Sequence, residues 1–237
     1  MAEAITVSIE SELQLQLQPG EHRLHFTLGA SVIELALSVP DSPIAGLAIV
    51  CHPHPLMGGT MDNKVVTTVA RTFRDQGQLA IRLNFRGVGA STGVFDHGMG
   101  EQEDVMQVAR WAQRQFQLPW RFLAGFSFGA FVALRVHNQL PSNAASLLRL
   151  CLIAPPVTRF ELSSASLAAG TEIIYGDADE VVEPSAIKQW LETAPTDIRI
   201  TTMVGAGHFF HGRLGELKEW THRVCDNYLM STREELG

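Results

Sequence analysis

The 237-residue sequence contains only three cysteines, Cys51, Cys151 and Cys225, far apart, with no CxxC pair and no histidine spacing of the zinc type. An odd, scattered set excludes a disulfide framework and fits reduced thiols in a core. Charge is also scarce: Asp, Glu, Lys and Arg make up 18% of the chain, below the roughly 25% of ordinary soluble proteins. The 46% of apolar residues is ample for a sizeable core and argues against intrinsic disorder. No cluster of Lys and Arg is present, and 18 basic residues against 25 acidic ones give a net charge of -7. A surface that neutralises phosphates is therefore absent, and no nucleic-acid partner is expected. No apolar run approaches the length that spans a bilayer, and the N-terminus lacks a basic segment followed by an apolar stretch. The expectation is a cytoplasmic protein with no membrane partner.

Repeats, low-complexity tracts and linkers rich in Pro, Gly or Ser are missing too, so residues 1–237 read as one domain, with 1–20 as an extra N-terminal strand or arm. Residues 5–17 alternate apolar and polar, and His22 to Leu28 and Val32 to Leu37 flank Gly29, which predicts an antiparallel entry at a sheet edge. A further edge strand at 11–18 would offer a homodimer contact. From Gly46 the pattern changes to short, nearly continuous apolar runs at 47–51, 79–85, 122–124, 148–154 and 173–175, the pattern of strands covered on both faces. Amphipathic segments at 62–76, 101–117, 128–139, 184–192 and 213–230 predict helices between them. The order is βαβα, an α/β protein with a mostly parallel central sheet and helices on both faces.

The most informative stretch is Gly125-Phe126-Ser127-Phe128-Gly129, between a predicted strand and a predicted helix. A G-x-S-x-G there makes a sharp, strained turn that lifts the serine hydroxyl clear of the sheet; bulkier residues in place of the glycines would meet the adjoining strand and helix. The hydroxyl also lies at a helix N-terminus, whose free N–H groups favour negative charge.

A serine hydroxyl is a weak nucleophile and needs a base, and the base needs a carboxylate to orient it. Downstream, Thr171-Glu-Ile-Ile-Tyr-Gly-Asp-Ala-Asp places two aspartates beyond an apolar run. Asp179 is the expected acid, while Asp177, directly after Gly176, is read as shaping the turn. His208, in the glycine loop that follows a predicted strand at 198–204, is the expected base, with His211 as the fallback. His97, His137, His211 and His222 are otherwise surface or packing residues.

An oxyanion hole needs two N–H donors. Phe128, after the serine, supplies one, and the loop Cys51-His-Pro-His-Pro-Leu-Met-Gly-Gly supplies the other. Pro53 and Pro55 have no N–H, which leaves His52, His54, Leu56 or Met57, with the Leu56 amide favoured and His54 the alternative. His52 and His54 lack a third ligand at metal spacing and read as loop braces; no metal is expected. Gly58-Gly59 lacks the lysine and the spacing of a phosphate loop, and no cofactor is expected.

The runs CHPHPLMGGTMDNKVV (51–66), LNFRGVGASTGVFDHGMGEQED (83–104), GFSFGA (125–130), GDADEVV (176–182) and GAGHFF (205–210) resemble the small bacterial α/β-hydrolases usually described as predicted serine hydrolases or esterases. The resemblance spans about residues 46–215. It implies the α/β-hydrolase fold and a Ser-Asp-His triad at Ser127, Asp179 and His208, whose chain order matches the reading above. Only about 16 residues separate the strand ending near Ala154 from the one starting near Thr171, too few for a cap domain. The expected mouth is open and shallow, bounded by 52–60, 86–100 and 156–168, with Phe95, Phe126, Phe128, Phe160 and Phe209 as apolar walls. Arg86 is expected to brace its loop through backbone carbonyls rather than bind a substrate carboxylate. Glu101 and Asp104 are expected to cap the next helix, with Val105, Val108, Ala109, Ala112 and Phe116 as its core face. The functional expectation is a serine hydrolase whose small-molecule substrate is a small or medium carboxylic ester or thioester, cleaved through an acyl-enzyme. The alternatives are a peptidase or acyltransferase on the same triad, and a non-catalytic binding module.

Overall fold

A computed structural model describes residues 5–8, 17–163 and 166–234. The strands are β1 (Ile5–Ser8), β2 (Gly20–Leu28), β3 (Ser31–Val39), β4 (Gly46–Cys51), β5 (Gln78–Leu83), β6 (Trp120–Phe126), β7 (Arg149–Ile153), β8 (Glu172–Gly176) and β9 (Arg199–Met203). They form one sheet in the order β1-β2-β3-β5-β4-β6-β7-β8-β9. From β5 to β9 all neighbours run parallel, whereas β3 is antiparallel to both β2 and β5. The predicted antiparallel entry is thus the β2–β3 hairpin, while β1 lies parallel to β2 at the sheet edge. Residues 11–16 of the supposed extra strand lie outside the described residues.

Every residue of β4 and β5 is buried, as continuous apolar runs require when both sheet faces are covered. One face carries α1 (Lys64–Asp75) and α6 (Leu214–Glu234), through Val65, Val66, Val69, Phe73, Leu217, Trp220 and Val224. The other carries α2 (Met99–Phe116), α3 (Phe128–Asn138) and α5 (Pro184–Leu191), through Val105, Val108, Phe131, Leu134 and Ile187. A single turn, α4 (Ser142–Ala145), precedes β7 and was too short to show a helical period in the sequence. No helix among the described residues is long and apolar enough to cross a membrane.

The chain steps from β4 through α1 to β5 on one side, then crosses back through α2 to β6 on the other. The carboxyl ends of β4 and β6 therefore flank a topological switch point, where open α/β sheets form their crevice. The loop after β4 and the turn after β6 both open into it.

Candidate active site

Ser127 leaves β6 with φ 52° and ψ -118°, a conformation that side chains with a Cβ rarely adopt. The flanking glycines make this turn sterically feasible. A Cβ on Gly125 would overlap the Gly129 carbonyl in the first turn of α3, and one on Gly129 would overlap the Cys51 carbonyl at the end of β4. The Ser127 amide donates to the Ile153 carbonyl at 2.9 Å, tying the elbow to β7, and α3 begins at once behind the hydroxyl.

Two loops deliver the partners. Beyond β8, Asp179 Oδ1 accepts the amides of Val181 and Val182, both at 2.8 Å, while Oδ2 accepts the His208 Nδ1–H at 2.8 Å. Burial pushes the Asp179 carboxyl upward in pKa, but the bonds from His208, Val182 and Val181 outweigh it, leaving the group below the ordinary carboxylate value. On the loop after β9, His208 turns Nε2 to the Ser127 hydroxyl, which donates to it at 3.0 Å. With Nδ1 facing a carboxylate, the imidazole is fixed in the tautomer that leaves Nε2 free to accept. His208 is 2% exposed, yet Ser127 keeps partial contact with solvent. Glu180 accepts the His208 amide at 3.1 Å, and Asp177 accepts the Gly205 amide at 2.6 Å, so both neighbouring acids anchor the histidine loop. Asp177 thus has the turn-shaping part expected of it; nothing in the sequence distinguished Glu180, whose partner lies 28 residues on.

The loop after β4 holds a short 3-10 turn, Pro55–Met57. The Leu56 amide, favoured above as the second oxyanion donor, is instead engaged inside this turn, where it donates to His54 Nδ1 at 3.2 Å. The Met57 and Gly59 amides both donate to the His54 carbonyl. The His54 N–H has no hydrogen-bond acceptor among the described residues, and both His54 and Phe128 line the cavity beside Ser127. His52 braces from below: its Nδ1–H donates to the Pro53 carbonyl at 2.6 Å and its Nε2 accepts the Phe85 amide at 3.0 Å. Both ring nitrogens are therefore engaged, and burial lowers the His52 pKa to about 4.

The cavity measures about 330 Å³ and lies between the loops at 53–59, 156–160, 181–182 and 208–209. Phe128, Phe160 and Phe209 are among its walls, as expected; Phe95 and Phe126 are not. Phe95 supports the His54 ring at 4.8 Å, and the fully buried Phe126 supports the His208 ring at 5.2 Å. The 86–100 loop likewise stands behind the wall. Arg86 makes two hydrogen bonds to Asp104, at 2.9 and 2.8 Å, so it braces through a carboxylate rather than through carbonyls, and Asp104 is no helix cap. Glu101 alone caps α2, accepting the Gly98 and Asp96 amides. Asn63, Val181, Val182 and Arg159 also line the cavity; the first three lie in the runs 51–66 and 176–182 and Arg159 in the segment 156–168, but none was singled out as a site residue. The four histidines read above as surface or packing residues do not line the cavity: His222 meets Gln76, His137 meets the Ala145 carbonyl, and His97 and His211 are exposed.

Residues 32–154, just over half the chain, match the family described as X-Pro dipeptidyl-peptidase (S15 family). A crystal structure of an α/β serine hydrolase without a lid, from Xanthomonas campestris, is 38% identical, covers 90% of this chain and 96% of its own, and superposes with a TM-score of 0.80. The chain belongs to the S15 family, among the lid-less α/β serine hydrolases. An α/β serine hydrolase homologue from Coxiella burnetii is 37% identical, with a TM-score of 0.79 over 88% of this chain and 99% of that one. An uncharacterized protein of Rickettsia prowazekii is 33% identical over 219 residues, 88% of this chain and 89% of its own. In this lid-less hydrolase the segment between β7 and β8 packs down rather than rising as a cap. Phe160 stacks on Phe131 of α3 at 4.7 Å, and Trp190 of α5 donates to the Leu162 carbonyl at 2.9 Å.

Proposed function

We propose that this hydrolase cleaves small or medium carboxylic esters or thioesters through an acyl-enzyme, with Ser127 as nucleophile, His208 as base and Asp179 as its orienting acid. Ser127 Oγ bonds to the acyl carbon while its proton passes to His208 Nε2. The Asp179 carboxylate then faces an imidazolium, which it stabilises. The tetrahedral oxyanion takes hydrogen bonds from the N–H groups of Phe128 and His54, two donors held by a helix start and a braced turn. The bond to the leaving oxygen or sulfur breaks as the Nε2 proton moves to that atom. Water then gives a proton to Nε2 and bonds to the acyl carbon; the ester bond to Oγ breaks, and Oγ recovers the proton.

The observation that carries this reading is the Asp179–His208–Ser127 hydrogen-bonded chain, 2.8 and 3.0 Å, at the wall of an open cavity. The testing experiment is turnover of p-nitrophenyl acetate, p-nitrophenyl butyrate and a matched thioester by the native protein and Ser127→Ala. The native protein is expected to cleave them. The variant, with an unchanged unfolding transition, is expected to lose at least a thousandfold in kcat, in line with triad removal elsewhere. Equal rates in the two proteins would overturn the assignment.

Amide hydrolysis is a second reading, favoured by the S15 match. Against it, a peptide with a free N-terminal ammonium calls for a carboxylate near the serine, and no Asp or Glu is among the described residues that line the cavity. An Xaa-Pro p-nitroanilide in the same assay separates the two: turnover at or above the ester rate would put the peptidase reading first.

A further inference from the structure

Among the described residues that line the Ser127 cavity, Arg159 is the only one with a permanent charge. It stands in the turn after β7, where its own amide and that of Phe160 both donate to the Pro156 carbonyl, at 3.1 and 3.3 Å, fixing the base of the side chain. Its guanidinium has no hydrogen bond or ion pair among the described residues. Like Arg71, Arg110, Arg114 and Arg223 it is exposed, but of these five it is the one that lines the cavity. Arg23, Arg82, Arg86 and Arg213 each sit on a carboxylate. Arg86, expected from the sequence to brace its loop rather than to bind a substrate carboxylate, is occupied by Asp104 through two hydrogen bonds.

The surroundings strengthen what such a cation can do. Phe128, Phe160, Val181 and Val182 give the cavity apolar, low-dielectric walls, which focus the field of a charge. Asn63 lines the same cavity; its Oδ1 caps α1 by accepting the Val65 amide, which leaves its NH₂ group as a donor. The cavity therefore combines donors, a cation and no carboxylate. The Arg159 charge also reaches the far wall: after burial, it is the next cause lowering the pKa of His54.

We propose that Arg159 is a specificity-determining residue, and that the substrate cleaved at Ser127 carries a carboxylate, as in a monoester or monothioester of a dicarboxylic acid. This rests on the hydrolase reading given above. One guanidinium matches the single charge of a carboxylate in a planar, two-bond pairing. A dianionic phosphate would call for more than one cation.

The test compares monomethyl glutarate with methyl pentanoate, esters of the same chain length that differ in the terminal carboxylate, by acid release in a pH-stat. The native protein is expected to favour the glutarate in kcat/KM by about tenfold or more. In Arg159→Gln that ratio should fall by about ten- to a hundredfold, mostly through KM, as loss of a charge-assisted hydrogen bond implies. Arg159→Lys should retain part of it, and added salt should lower the native ratio. A native protein with no preference for the glutarate, or a ratio unchanged in Arg159→Gln, would overturn the proposal. If methyl pentanoate is still cleaved in a Ser127-dependent manner, the hydrolase reading survives that result; if neither ester is cleaved, both fall together.

Discussion

Three histidines around the cavity, His52, His54 and His208, differ in what their ring nitrogens face. His208 has a carboxylate on one side and a hydroxyl on the other, so it can take a proton and give it back. His52 has a carbonyl on one side and an amide N–H on the other, and burial holds its pKa at about 4, so it stays neutral and structural. The sign of its effect on stability follows. Unfolded, an imidazole binds a proton near pH 6.5; folded, His52 does so only near pH 4. Between those values the unfolded chain holds the extra proton, so acidification weakens the fold, by roughly 2–3 kcal/mol from pH 7 to pH 4.5. Asp179 acts in a lower window, because its depressed pKa gives stability that persists above the ordinary carboxylate range and is lost only below it. Urea midpoints at pH 7 and pH 4.5 are expected to show this loss in the native protein and a smaller one in His52→Asn; equal losses would contradict the account. At this scale the residue types with chemical work to do stood out in the sequence, whereas pairings made by folding did not. Whether the Leu56 N–H faces the cavity or the His54 ring depends on one 3-10 turn. Arg86 and Asp104 are 18 residues apart, and no local pattern joins them.

The elements follow the sequence closely where they are long and periodic. The helix expected at 62–76 spans 64–75, that at 128–139 spans 128–138, and the strand expected at 198–204 spans 199–203. Among the described residues, α4 and the 3-10 turn Pro55–Met57 were missed, because a single turn has no period to detect. The elbow depends on contact between elements. Gly129 lies against the end of β4, and a methyl group there would push α3 from the strand or the strand from its loop. Gly129→Ala is expected to lower the unfolding free energy by roughly 1–3 kcal/mol, as overpacking does. The matched control is Gly215→Ala in α6, where a Cβ meets open space; it should raise stability by about 0.5–1 kcal/mol. Chemical denaturation of both variants checks the pair, and similar effects of the two would refute the steric argument.

For the molecule as a whole, α/β class, parallel sheet and missing lid were legible because continuous apolar runs, alternating helices and a short β7–β8 connection each leave a trace in the sequence. Strand order was not: that β5 lies between β3 and β4 depends on how the crossovers pack, which no local pattern records. That order is nevertheless what creates the crevice, since it separates the β4 loop from the β6 elbow and leaves room between them. The central claim is that this crevice makes Ser127 a nucleophile through His208. Its most direct test is intact-mass measurement after exposure to a fluorophosphonate. One adduct per chain, mapped to Ser127, absent from Ser127→Ala and formed far more slowly in His208→Ala, is the predicted result. An adduct of full stoichiometry in Ser127→Ala, or one formed as fast without His208, would contradict it.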